Sequence, residues 1–271
     1  MKNKLIFLIR FCIKLNWWKT FLINFRLLAF KNAVKFPILI FGKCKLHHLK
    51  GELVFNCPIK FGQLLIGISD ALRSYENLSY ISLLGKLEVG EHVVLRRGIR
   101  LSIFGCLIIE DNVHIGDNNT IICTDKMVIG KATRVANNTT FMDTDFHYVI
   151  NTNTREIKQN HAPIEIGENN WIGAWTTIKK GTRTPKGTII AGPYSTIGKD
   201  FIGKIPENSF LAGSPVKLIR EGFRRVNSKE SDALIRKHFS ESASPFVLSD
   251  EIDIDQFCMP QITNSISADL L

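Results

Sequence analysis

Residues 163–203 read PIEIGENNWIGAWTTIKKGTRTPKGTIIAGPYSTIGKDFIG. Every sixth position from Ile166 is β-branched: Ile166, Ile172, Ile178, Thr184, Ile190, Thr196 and Ile202. The residues that follow are mostly small or turn-compatible: Gly167, Gly173, Lys179, Pro185, Ala191, Ile197 and Gly203. A helix advances about 600° over six residues, so each repeat would fall about 120° out of phase. A hairpin sheet alternates with period two and gives no fixed six. A coil of three short straight sides does, each side supplying one inward aliphatic and a tight corner. The spacing predicts an all-β chain wound as a parallel β-helix.

The preceding residues repeat with a longer coil. Val89-Gly90, Ile109-Glu110 and Ile129-Gly130 recur every twenty residues. Within them the sixes continue as Val89, Leu95, Leu101, then Ile109, Ile115, Ile121, then Ile129, Val135, Phe141. Twenty is three hexads plus two residues, which reads as one widened corner. A single coil cannot bury its inner face, but several stacked coils form a continuous core.

Composition bounds the rest. The 271 residues are 45% hydrophobic and 22% charged, enough for a packed core. The net charge of +10 is carried unevenly. Residues 1–50 hold eleven lysines and arginines and no acid, whereas Asp250, Glu251, Asp253 and Asp255 cluster near the end. Charge alone, without a nucleic-acid motif beside it, does not support nucleic-acid binding. The six cysteines show no CxxC pair or framework and read as free thiols in a reducing compartment. No run reaches the roughly eighteen apolar residues of a membrane span. The N-terminal stretch is broken by Arg10 and Lys14 and lacks a cleavage site, so a signal peptide is not expected. The expected location is cytoplasmic.

Four segments carry a resemblance: Asp143-Thr-Asp-Phe-His147, Pro163-Ile-Glu-Ile-Gly167, Trp171-Ile-Gly173, and Phe210-Leu-Ala-Gly-Ser-Pro-Val-Lys-Leu-Ile-Arg220. Together, in this order over about residues 85–222, they resemble the left-handed parallel β-helix acyltransferases with hexapeptide repeats. Sugar O-acetyltransferases of bacterial surface polysaccharides are the most similar branch. The resemblance implies a homotrimer with active sites between subunits, acetyl-CoA as donor, no metal requirement, and direct transfer assisted by a histidine base. That base maps to His147. An imidazole titrating near neutrality suits removal of a proton from an acceptor hydroxyl. Asp143 and Asp145 share odd parity with His147, so on an extended segment the three would face one way. They are expected to orient the imidazole or hold the acceptor.

For the donor, the resemblance points to Trp171, Gly173, Ala174, Ala191 and Gly192 along the pantetheine arm. It places Lys199, Lys217 and Arg220 near the phosphates, where cations are favoured. The chain departs from the family pattern at Ala191-Gly-Pro-Tyr-Ser195 and at the longer 200–206 segment. Residues 148–162 interrupt the repeat as a polar excursion that would wall a site, with His161 read as a loop residue.

Three alternatives stay open. They are transfer to serine or an amino sugar, a metal enzyme of the γ-carbonic-anhydrase type using His114 and His147, and a non-catalytic scaffold. The chain divides into a basic amphipathic arm (1–50), the β-helix (51–221) and a C-terminal extension (222–271), with a short helix over 230–239. Leu5, Leu8, Phe11, Leu15, Trp18, Leu22 and Phe25 form a helical stripe. It suits either an anionic membrane at its inner face or packing against the prism.

Overall fold

The computed structural model describes residues 11–68 and 77–260. Three parallel sheets form the walls of a prism, with nine, seven and six strands. Up to the last coil each strand pairs with the one three places away in the chain, so successive coils stack directly. The first sheet ends in an antiparallel hairpin, Phe210–Gly213 with Val216–Arg220. All nine inward positions expected from Val89 to Phe141 are buried, most of them completely. The widened corner joins the second and third sheets. There the strands are four residues long and point two side chains inward, as with Leu101 and Ile103 or Leu107 and Ile109.

The later hexads hold through Ile190 and then slip. Ile197, not Thr196, enters the core and pairs with Ile178, while Ile202 is 44% exposed. The corner around Gly192–Ser195 carries one residue more than its counterparts, and a shift of one exchanges the two faces of a strand. Phe201 and Ile205 pack on the core in place of Ile202.

Corners recur with a residue in the left-handed region. Asn112, Asn118, Ala132, Asn138, Asn169 and Asn208 all have φ between 56° and 60° or, for Asn169, 52°. Asparagine tolerates this conformation, and its side chain can bond locally. Buried Asn119 illustrates the second use. It donates to the carbonyls of Gly116 (2.8 Å) and Ala136 (2.9 Å) and accepts from the Thr139 amide (2.6 Å). Backbone groups turned inward at the corners are satisfied in this way.

The prism starts earlier than residue 51. Its first strands, Ile38–Ile40 and Cys44–Leu49, are already in register with the next coil. The basic charge of this segment sits on outward positions and does not prevent coiling, which is why composition misplaced the boundary. Helix α1 (Trp17–Leu27), followed by the short α2 (Phe30–Ala33), closes this end. Thr20 Oγ1 accepts from the Ile40 amide at 3.0 Å. Asn24 both donates to the Ile38 carbonyl (2.7 Å) and accepts from the Ile38 amide (3.2 Å). An unpaired sheet edge is thereby covered by polar side chains.

The expected continuous helical stripe does not form. Asn16 caps α1 by accepting from the Lys19 amide, separating it from the helical turn at 11–14. Phe11 and Leu15 are buried, whereas Trp18 is 68% exposed. Leu5 and Leu8 lie outside the described residues. Among those described, no helix is long and apolar enough to cross a membrane. All six cysteines are free thiols. The expected C-terminal helix is present as α3 (Lys229–Glu241), capped by Ser228, and α4 (Ile254–Cys258) follows it.

Candidate active site

The excursion leaves the prism at the corner between the second and third sheets, after Met142, and returns at Ile164. Asp143 fastens its root. The carboxylate is fully buried and accepts from the Thr124 amide (2.8 Å), the Thr124 hydroxyl (2.9 Å) and the Asp125 amide (2.9 Å). It ties the excursion to the corner of the preceding coil and does not face His147. The shared face expected for residues 143, 145 and 147 is lost because Phe146 adopts φ 60°, which breaks the extended run.

Asp145 is partly exposed and forms an ion pair with Lys180 at 2.8 Å. Lys180 also donates to the Gln159 carbonyl at 3.0 Å, so one ammonium holds both legs of the excursion. His161 Nδ1 lies 3.0 Å from Asp125 Oδ2 at the same root. The sequence reading took His161 for a loop residue and did not single out Lys180 or Asp125. Their partners are 21 and 36 residues away, and no short motif records such pairs. His147 itself is exposed. Its amide donates to the Asp145 carbonyl (2.7 Å), and among the described residues its imidazole has no hydrogen-bond partner. The ring is open to solvent. Residues 145–159 are all exposed, including Tyr148, Val149 and Ile157.

The expected donor residues gather elsewhere. Gly173, Ala174, Ala191 and Gly192 meet at the corner between the first and second sheets. A Cβ at Gly173 would lie 2.2 Å from the Gly192 nitrogen, and one at Gly192 would lie 2.3 Å from the Ala174 oxygen. Glycine is required here for the corners to stack at all. Beside this strip stand two exposed aromatics, Trp175 and Tyr194, with ring centroids 6.2 Å apart. Both have positive φ (60° and 64°), which is costly for bulky residues and marks the corner as more than a turn. The sequence reading missed them; aromatics at corner positions that otherwise favour Asn or Gly were the available signal.

Lys199 is exposed at the corner between the second and third sheets, where the Arg183 amide donates to its carbonyl. Lys217 and Arg220 are exposed on the terminal hairpin, with Arg220 5.5 Å from the Phe223 ring. One chain therefore puts His147 and the small-residue strip on opposite edges of the second sheet. It does not bring the expected base and the expected donor residues together.

Trp171 projects from the outer face of the first sheet, in register with Arg134 and, one strand further, His114. Burial, with Arg134 and Arg96 nearby, holds the His114 pKa down to about 2. His114 is thus neutral when folded at any ordinary pH but protonates near 6.5 once unfolded. The unfolded chain then binds the extra proton, so stability is full above pH 6.5 and falls as pH drops toward 2. The expected slope is up to about 1.4 kcal/mol per pH unit. Denaturation of wild type and His114→Gln between pH 7 and pH 4 should show a steeper loss in wild type. Parallel curves would contradict it. Among the described residues, no three His, Cys, Asp or Glu side chains gather as a metal site. His114 stands on the first sheet, whereas His147 lies on the excursion that leaves the prism after Met142.

No family model matches the chain. A protein of 24.8 kDa from the cps region of Klebsiella pneumoniae, itself uncharacterized, is 30% identical over 72% of this chain and 84% of its own length. A protein of Escherichia coli K12, provisionally named lipopolysaccharide biosynthesis O-acetyl transferase WbbJ, is 28% identical over 52% of this chain and 75% of its own. The galactoside O-acetyltransferase of the same organism is 28% identical over 57% of this chain and 71% of its own. Among solved structures, the polysialic-acid-specific acetyltransferase NeuO covers 75% of this chain and 88% of its own, at 16% identity and TM-score 0.49.

Proposed function

The chain belongs to the hexapeptide-repeat, left-handed parallel β-helix acyltransferases, and on that premise we propose that it moves an acetyl group from acetyl-CoA to a sugar hydroxyl of a surface polysaccharide or its precursor. The observation that carries the reading is His147: a free, exposed imidazole on a backbone anchored by Asp143 and by the Asp145–Lys180 pair. The acceptor oxygen attacks the thioester carbonyl while His147 takes its proton. The tetrahedral intermediate then expels the CoA thiolate, which recovers the proton from the imidazolium. A positioned base of this kind contributes typically about 10²–10⁴-fold.

Trp171, Gly173, Ala174, Ala191 and Gly192 line the path for the pantetheine arm, and Lys199, Lys217 and Arg220 meet the phosphates of CoA. Asp145 acts on His147 through the excursion's geometry, and Asp143 acts by holding its root. Because base and donor strip occupy opposite edges of the second sheet, a complete site needs the edges of two copies, which supports a homotrimer. The exposed Trp17, Trp18 and Phe21, beside an acid-free basic segment, support peripheral attachment of a cytoplasmic protein to an anionic membrane. Light scattering, and vesicle flotation of wild type against a Trp17→Ala, Trp18→Ala, Phe21→Ala variant that keeps Thr20 and Asn24, check these two points. A fully active monomer, or equal flotation, would refute each in turn.

The test of the activity is turnover of acetyl-CoA against sugars, nucleotide-sugars and serine, with the product identified by mass. An acetylated sugar is expected. Acetyl transfer to serine alone would replace the sugar reading.

A further inference from the structure

The outer face of the first sheet carries a cleft of about 430 Å³, within the range of small-molecule sites. Arg96, His114, Asp117, Arg134, Trp171 and Arg225 are among the residues that line it. Arg225 comes from the C-terminal extension, for which the sequence reading found no role. The extension is fastened over the face by several contacts. Asn227 donates to the Ala132 carbonyl (3.0 Å), and with the Asn169 amide turned so that its oxygen faces Arg224, the guanidinium donates to it (2.8 and 3.1 Å). Arg224 also pairs with Asp255, which reaches Lys186 at 3.2 Å. This places the Arg225 guanidinium 5.3 Å from the centre of the Trp171 ring.

The cleft is built with excess positive charge. Three guanidiniums line it against one carboxylate, with Asp232 acting on Arg225 from the extension, and the Lys229 ammonium lies near enough to act on His114. Arg134 donates only to neutral oxygens: the carbonyls of Asn112, Ala132 and Thr133, and the Asn112 side-chain amide. Those bonds aim the guanidinium without neutralising it. Burial, with Arg225 beside it, pushes the Arg134 pKa down to about 9. Clustered cations in a half-enclosed place are costly unless an anion joins them.

We propose that this cleft binds an oxyanion, the carboxylate or phosphate of an acidic acceptor glycan or its nucleotide-activated precursor. The proposal rests on the sugar-acetylation reading for the identity of the occupant. The cleft adjoins the donor strip, since Asn137 in its lining accepts from the Trp175 amide at 3.1 Å. An acceptor anchored by its acid group here would lie beside the thioester path. The positive charge of the arginines is what would hold the acid group.

Calorimetric titration with glucuronate, UDP, CoA and neutral lactose tests it on wild type, Arg225→Gln and Arg225→Lys. Glucuronate or UDP should bind wild type more tightly than lactose. That affinity should fall at least about tenfold in Arg225→Gln, with CoA binding unchanged. Arg225→Lys, which keeps the charge, should retain most of it. Weakened CoA binding alone would assign the cleft to the donor and overturn the proposal. So would anion binding that is absent or equal in all three proteins, or a Lys variant as weak as the Gln variant. The titration does not depend on turnover. A chain that binds UDP or glucuronate here but acetylates no sugar keeps the cleft and loses the acetyltransferase reading.

Discussion

His147→Asn should lower turnover by about 10²–10⁴-fold, or roughly 3–5 kcal/mol of transition-state stabilisation, while leaving CoA affinity and oligomeric state unchanged. Asparagine keeps polarity and approximate size but cannot take the acceptor's proton. The side chain is exposed and makes no contact that the fold needs, so the variant should unfold at the same midpoint as wild type. The proposed pantetheine contacts lie on the other edge of the second sheet, and Lys199, which shares the edge of His147, lies on a later coil, which is why binding should survive. Steady-state kinetics with a calorimetric CoA titration separates the two effects. If His147→Asn keeps more than about a tenth of wild-type turnover, the base is another group. The Asp125–His161 pair at the excursion's root would then be the first candidate.

The largest effect on stability is expected at Phe141. It is fully buried and stacks in register between Ile121 of the coil before and Ile178 of the coil after. Phe141→Ala removes the bulkiest side chain of that column and leaves a cavity that neighbouring coils cannot close without losing their own pairing. A cost of about 3–5 kcal/mol is typical for such a truncation, against a total stability of about 5–15 kcal/mol. Coils support one another only through nearest neighbours, so the damage should reach the excursion's root at Asp143, two positions on. Phe146→Ala is the control: that ring is 52% exposed and should change stability by less than about 0.5 kcal/mol. Chemical denaturation of both variants decides. A Phe141→Ala loss below about 1 kcal/mol would mean that the core is not the stacked column described.

The period of six was readable because every inward position repeats the same local demand, an aliphatic followed by a corner. It failed at Ile202, where one added residue at the Gly192–Ser195 corner moved the buried position to Ile197. The start of the prism is hard to read from charge for a related reason. Lys43 and Lys45 are outward side chains on coil positions, and their charge says nothing about the inward face. At the site, the Asp143–His147 motif located the excursion but not the job of each carboxylate. Asp143 is committed to amides of the coil before it, and Asp145 to Lys180. Such pairings follow from stacking order, which a linear motif does not carry. The same holds for Arg225, which reaches Trp171 only because the extension folds back over the first sheet.

The most direct measurement follows free CoA thiol in a mixture of enzyme and acetyl-CoA, with and without sugar acceptors, and weighs both sugar and protein. Thiol release is expected only when an acceptor is present, with an acetyl ester on that sugar in equal amount and protein of unmodified mass throughout. Thiol release without acceptor together with an acetylated protein, or no acetylated sugar across the whole panel, would contradict direct transfer to a sugar hydroxyl.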